Sequence, residues 1–135
     1  MKKEIILIIG LPGSGKSYFL ENEIPSTYFK VDDPNTLKEK YDFKKVNADL
    51  IAVADPLLSR KEVLENAIKY FNDIFPEHEI KKVYFENNLE KCLNNIKHRD
   101  DGRDIRATLN NLSKIYQPPE DALEIWQPPK LNKGF

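Results

Sequence analysis

Residues Gly10-Leu11-Pro12-Gly13-Ser14-Gly15-Lys16-Ser17 spell G-x-x-x-x-G-K-[ST], directly after the apolar run Ile5-Ile6-Leu7-Ile8-Ile9. The chemistry open to such a loop is the binding of phosphate. Glycines at 10, 13 and 15 let the backbone turn tightly and aim its N–H groups inward. The β- and γ-phosphates of a nucleotide can then sit in a ring of donors, Ser14 among them, at a helix N-terminus. Lys16 adds a point charge that can travel with a transferred phosphate, and Ser17 offers a hydroxyl to the Mg²⁺ that bridges the β- and γ-oxygens. A turn serving only chain reversal would need neither a lysine nor a hydroxyl in register after the third glycine.

Phosphoryl transfer also needs a base for the attacking hydroxyl and cations for the transferring phosphate. Asp33 is the candidate base and Asp32 the alternative, both at the end of the β-rich run Tyr28-Phe29-Lys30-Val31. Asp33 can instead serve as a helix cap before Pro34. Asp55 ends a second apolar run, Leu50-Ile51-Ala52-Val53-Ala54. It can orient an acceptor, hold a metal through water, or cap the turn that Asp-Pro often begins. Arg99 and Arg103, four apart in a charged, glycine-containing stretch, can stabilise charge on the transferring phosphate. The alternative for them is a solvated face on which Asp100, Asp101 and Asp104 pair with them at little consequence. Arg106 is a weaker candidate.

The elements that must position these groups alternate β and α. A helix is predicted over 16–21, after the loop. The motif Ser59-Arg60-Lys61-Glu62 reads as a capping box opening a helix to about Phe75. Lys82-Val83-Tyr84-Phe85-Glu86 reads as the fourth strand, followed by a cap at Asn87 or Asn88 and a helix to about His98 with Leu89, Leu93 and Ile96 on one face. Helical spacing resumes at Ile105, Leu109, Leu112 and Tyr116, and the stretch 97–116 reads as a mobile lid. Two Gln-Pro-Pro triplets, at 117–119 and 127–129, bracket Ala122-Leu123-Glu124-Ile125-Trp126, a candidate short fifth strand in a Pro-rich segment that runs over 117–135. A tryptophan between apolar neighbours is expected to pack, and the last residues to extend. The expectation is a single α/β domain over 1–135. Its form is a three-layer sandwich of the phosphate-loop NTPase type, with a four- or five-stranded, mostly parallel sheet and a helical lid. Right-handed crossovers then put the loop, Asp33 and Asp55 on one sheet edge.

Bulk properties bound the choices. With 135 residues there is room for one such domain, and 21 Lys+Arg against 22 Asp+Glu leave a net charge of −1, so no global positive field recruits nucleic acid. Any such contact must come from a local patch, for which Lys38, Lys40, Lys44, Lys45 and Arg60 are the candidates. The single cysteine, Cys92, reads as a partly buried structural thiol in a reducing compartment. The N-terminal apolar run is too short for a signal-peptide core or a membrane span, so a soluble cytoplasmic protein is expected.

The chain resembles the small phosphate-loop kinases of the polynucleotide 5′-hydroxyl kinase group, as in the kinase domain of the bacteriophage end-healing enzyme. The matching features are Gly-Leu-Pro-Gly-Ser-Gly-Lys-Ser, a strand ending in Asp32-Asp33, a strand ending in Val-Ala-Asp-Pro-Leu-Leu at 53–58, and arginines at 99 and 103 followed by Ile-Arg-Ala-Thr-Leu-Asn-Asn-Leu-Ser-Lys-Ile-Tyr. The resemblance spans Ile5 to about Pro119. It implies that Lys16 and Ser17 bind donor phosphates and metal, that Asp33 is the general base, that Asp55 lies in the acceptor pocket, and that Arg99 and Arg103 are lid arginines. It also implies an intracellular protein of phage-encoded type, with ATP or another nucleoside triphosphate and Mg²⁺ as cofactors. The family places an arginine one turn after the base aspartate to hold the acceptor's own phosphate; here Thr36 stands three residues beyond Asp33, and Lys38 or Lys40 would have to substitute. No counterpart of the phosphatase half is present, so a combined repair function is not expected.

The leading expectation is therefore transfer of a γ-phosphate to a nucleic-acid or nucleotide hydroxyl, a 5′ end or a hydroxymethylated base included. A kinase of the same fold acting on a small metabolite or nucleotide sugar is the alternative. From another class comes a nucleotide-hydrolysing switch working through a protein partner.

Overall fold

Five consecutive large aliphatic side chains, Ile5 to Ile9, cannot alternate between oil and water, so a strand made of them needs cover on both faces. The computed structural model describes residues 2–32, 43–97 and 106–125. It places this run, β1 (Glu4–Ile9), inside a four-stranded sheet of order β2-β3-β1-β4. Its partners are β2 (Phe29–Asp32), β3 (Leu50–Ala54) and β4 (Glu79–Tyr84), and every pairing is parallel. Ile5 is in register with Ile51 on one side and Ile80 on the other.

The connections leave β1 and β3 in opposite directions. β1 runs through α1 (Lys16–Asn22) to β2, beyond β3; β3 runs through α2 (Lys61–Ile74) to β4, across β1. Right-handed crossovers then place α1 and α2 on opposite faces of the sheet. Burial agrees: successive strand residues point to opposite faces, yet Ile51, Ala52, Val53 and Ala54 are all fully buried. On α2, Ala67 and Phe71 face inward one turn apart, and the Phe71 ring meets Phe43 edge-on at 5.0 Å. Phe19 of α1 meets Phe85 edge-on at 5.7 Å.

The α/β class and the four parallel strands match expectation, while several details do not. Ser59 caps nothing at α2. Its hydroxyl donates to the Pro56 carbonyl at 2.7 Å inside a 3-10 turn, Pro56–Ser59, and α2 starts one residue later without a side-chain cap. The fourth strand begins at Glu79 rather than Lys82. Glu79, Lys81 and Lys82 are exposed and Ile80 alone packs against the core there, so no apolar run marks its start. The fifth strand shrinks to a single parallel bridge between Phe85 and Leu123, with the Leu123 N–H donating to Tyr84 O and the Glu86 N–H donating to Leu123 O, both at 2.8 Å.

Two helices follow β4: α3 (Leu89–Lys97), capped by Asn88 Oδ1, which accepts from the Lys91 N–H at 3.1 Å, and α4 (Arg106–Ser113). Leu109, Leu112 and Tyr116 lie in the core, so α4 and the turn after it pack against the body of the domain. Of the expected lid, 98–105 lies outside the described residues, as does 126–135 with Trp126. Cys92 is fully buried, deeper than the partly buried thiol expected.

At the amino end of the sheet, Glu4 is 2% exposed and is held by Lys81 Nζ at 2.7 Å, by Lys2 Nζ at 3.3 Å and by the Tyr28 hydroxyl. Burial pushes its carboxyl toward the protonated form, but Lys81, Tyr28 and Lys2 together outweigh that and hold the pKa below the ordinary glutamate value. Tyr28, donating to this carboxylate, is pushed up to about 12. A carboxyl whose pKa is lowered by folding adds stability above its unfolded value, and that stability is lost as pH falls through the folded value. Glu4→Gln should therefore flatten the fall in urea midpoint below the ordinary value of 4.5, relative to the wild type. An acid limb unchanged by the substitution would place the sensitivity elsewhere.

Candidate functional site

The chain leaves β1 at its carboxyl end and must reverse into α1 within a few residues. Gly10 begins that reversal, buried, with the Ser14 hydroxyl filling the space a side chain at 10 would need. The Ser14 N–H closes a tight turn onto Leu11 O at 3.0 Å. Gly13 and Gly15 have φ of 83° and 98°, the left-handed region that favours glycine. Gly15 is the N-cap of α1 and, lacking a side chain, leaves the helix start without a side-chain cap.

Lys16 is 7% exposed and folds back over this turn. Its ammonium donates to Leu11 O at 2.7 Å and to Ser14 Oγ at 3.4 Å. Ser14 is fully buried, whereas Ser17, one residue along α1, is exposed. An ammonium and a hydroxyl thus meet at a turn built on left-handed glycines, just past the end of β1.

Two elements brace the loop from outside. Asn95 of α3 donates its side-chain amide to Gly13 O at 2.9 Å. Tyr116, just past α4, donates its hydroxyl to Ile9 O at 3.3 Å and to Phe85 O, and burial drives its pKa up. Asn87 ties the end of α4 in place by donating to Ser113 O at 2.8 Å and Tyr116 O at 2.9 Å. Neither Asn95 nor Tyr116 was legible as a site residue from motif alone. The signal for Asn95 was a polar residue at a core-facing position, three after Cys92 and one before Ile96.

Of the candidate carboxylates, Asp55 directly follows β3, the neighbour of β1, and is fully buried. Its Oδ1 accepts from the Leu57 N–H at 2.9 Å, so it does cap the turn before α2. Asp32 ends β2 on the same sheet edge, exposed and one strand further out, in register with Ala54. Asp33, Arg99 and Arg103 lie outside the described residues, as do Lys38 and Lys40. Lys44 and Lys45 are exposed on a 3-10 turn, Phe43–Lys45, and Arg60 is half-buried beside Lys61. A groove of about 650 Å³, lined by Ile9, Tyr84, Lys61, Lys82 and Lys114 among others, opens beside α2.

The carboxyl edge of an open parallel sheet, between strands whose connections diverge, is where ligands settle in such folds. Here that position lies between β1 and β3, and it holds the loop and Asp55. Turn N–H groups, an ammonium, a hydroxyl and a carboxylate are the inventory on which polyphosphate and divalent-cation binding draw. Mg²⁺ in such sites keeps most of its ligands from water and phosphate and takes only one or two from protein. The Ser17 hydroxyl with a carboxylate at a neighbouring strand end fits that demand. Among the described residues no helix is long and apolar enough to cross a membrane.

No protein-family model matches the chain. It is 32% identical over 109 residues to the Uncharacterized protein R277 of Acanthamoeba polyphaga mimivirus, a stretch covering 76% of this chain and 78% of that protein. The chain belongs to the same family as this mimivirus protein.

Proposed function

We propose that the protein is an ATP-dependent phosphotransferase of the phosphate-loop kinase type, which moves the γ-phosphate of ATP or another nucleoside triphosphate to a hydroxyl of a nucleic acid or nucleotide. The observation that carries this reading is the state of Lys16. Its ammonium is held 2.7 Å from the Leu11 carbonyl inside a turn built on left-handed Gly13 and Gly15. An anionic phosphate oxygen is a stronger acceptor for this ammonium than a neutral loop carbonyl, and Lys16 stands where it would meet one. The sequence match over 10–17 and the resemblance of the strand ends to polynucleotide 5′-hydroxyl kinases add support.

In this reading the acceptor oxygen attacks the γ-phosphorus, the bond to the β-bridging oxygen breaks, and the hydroxyl proton passes to a carboxylate. Asp33 is assigned that proton, with Asp32 beside it at the acceptor. Lys16 moves with the transferring phosphoryl, and Arg99 and Arg103 offset its charge. Ser17 would hold Mg²⁺, which would supply neutralisation of phosphate charge. Asp55 orients the acceptor while capping its turn, and would hold a metal through water.

Transfer of label from γ-labelled ATP tests the reading. The acceptor panel holds 5′-hydroxyl DNA and RNA oligonucleotides, hydroxymethylated duplex DNA, nucleosides and nucleotide sugars. Label in an oligonucleotide supports the proposal. Label only in a small molecule makes the protein a metabolite kinase, and phosphate release without any acceptor makes it a nucleotide-hydrolysing module.

Lys16→Ala should lower turnover by roughly two to three orders of magnitude, the cost of removing one preorganised donor from a developing charge. Its fold should survive, because Leu11 O still accepts from the Ser14 N–H at 3.0 Å. Asp55→Asn separates the two roles of that residue. Asparagine caps about as well as aspartate, so the melting temperature should hold while transfer falls at least tenfold. Full activity in this variant would leave Asp55 as a cap alone.

A further inference from the structure

Asn95 lies on the inward side of α3, and its amide reaches across 82 residues of sequence to the Gly13 carbonyl at 2.9 Å. The same turn of helix presses on the same loop residue. A Cβ at Gly13 would come within 2.7 Å of the Cys92 carbonyl oxygen and 3.0 Å of Ile96 Cγ1. Packing and a directed hydrogen bond therefore converge on the peptide plane between Gly13 and Ser14.

That plane is a soft place in the loop, because glycine exchanges between left-handed and other conformations at little cost. The C=O of Gly13 and the N–H of Ser14 point in opposite directions across a trans peptide. Rotating the plane would swing the carbonyl into the loop and the N–H out of it. A carbonyl aimed at a phosphate repels it, and an N–H attracts it. In the structure the Ser14 N–H is spent on Leu11 O, a neutral acceptor that an anionic phosphate oxygen would replace, and the Gly13 carbonyl accepts from Asn95 on α3.

We propose that Asn95 is a positioning residue for polyphosphate binding: by holding the Gly13 carbonyl against α3 it keeps the Ser14 N–H turned into the loop, the orientation that the phosphates of a nucleotide require. This rests on the nucleotide-binding reading above. Asn95 touches no substrate and acts through the loop backbone.

Calorimetric titration of wild type, Asn95→Leu, Asn95→Gln and Asn95→Met with MgATP, magnesium tripolyphosphate and adenosine tests it, with melting temperatures taken alongside. Asn95→Leu should weaken MgATP and tripolyphosphate by the same factor, about fivefold to tenfold, the worth of one net amide–carbonyl hydrogen bond. Adenosine binding should not move. Asn95→Gln, which keeps the donor, should recover affinity that Asn95→Met, matched in length without a donor, does not. If Asn95→Leu fails to fold, the Gln and Met pair carries the same comparison. A lower melting temperature with unchanged phosphate affinities, or equal losses in the Gln and Met variants, would make Asn95 a packing residue and overturn the proposal. Wild type that binds neither MgATP nor tripolyphosphate would refute the nucleotide reading and this one with it.

Discussion

The Cys92 carbonyl stands where a side chain on Gly13 would have to go, and the whole functional edge is arranged around that close approach. Because no Cβ intervenes, α3 can lie directly on the loop, Asn95 can reach the Gly13 carbonyl, and the chain can turn from β1 into α1 with φ of 83° at Gly13. Lys16 is then carried back over Leu11 O rather than out into solvent. Any larger residue at 13 would face both a disfavoured backbone conformation and helix backbone at 2.7 Å, which a neighbouring side-chain rotation cannot relieve.

The sheet supplies the rigidity against which this loop works. β1 and β3 are buried on both faces, and their loops open side by side on one edge. Tyr116 and Asn87 bind the end of α4 to the carboxyl ends of β1 and β4, so the last described helix is part of the support of the site. Glu86 extends this by accepting from the Ile125 N–H at 2.8 Å and from Lys91 Nζ at 3.0 Å, which anchors the segment after α4 to the start of α3. The Ile125 N–H, followed by Lys91, holds its carboxyl below the usual range against the opposing pull of burial.

Much of this was legible in the sequence wherever one physical cause dominated. Continuous apolar runs marked β1 and β3 because strands buried on both faces have no other way to be written. The turn after β1 was legible because glycine is the residue that adopts the left-handed conformation found at 13 and 15. Legibility failed where tertiary context decided. β4 starts among charged residues, where only Ile80 packs against the core and the pairing with β1 decides. Ser59 had an alternative partner, the Pro56 carbonyl, that a capping pattern does not reveal. How deeply Leu109 and Leu112 sit in the core was hidden by the charged run that precedes them. Asn95 was missed because an asparagine has no motif; only its neighbours on the buried side of α3 show that it faces something polar.

Backbone amide spectra of ¹⁵N-labelled protein, recorded as MgATP is added, test most directly whether the turn after β1 is a seat for nucleotide phosphates. The account predicts large, saturable shifts of the Gly13, Ser14, Gly15, Lys16 and Ser17 amides that tripolyphosphate reproduces. Amides at 10–17 that stay unmoved at saturating MgATP would contradict it.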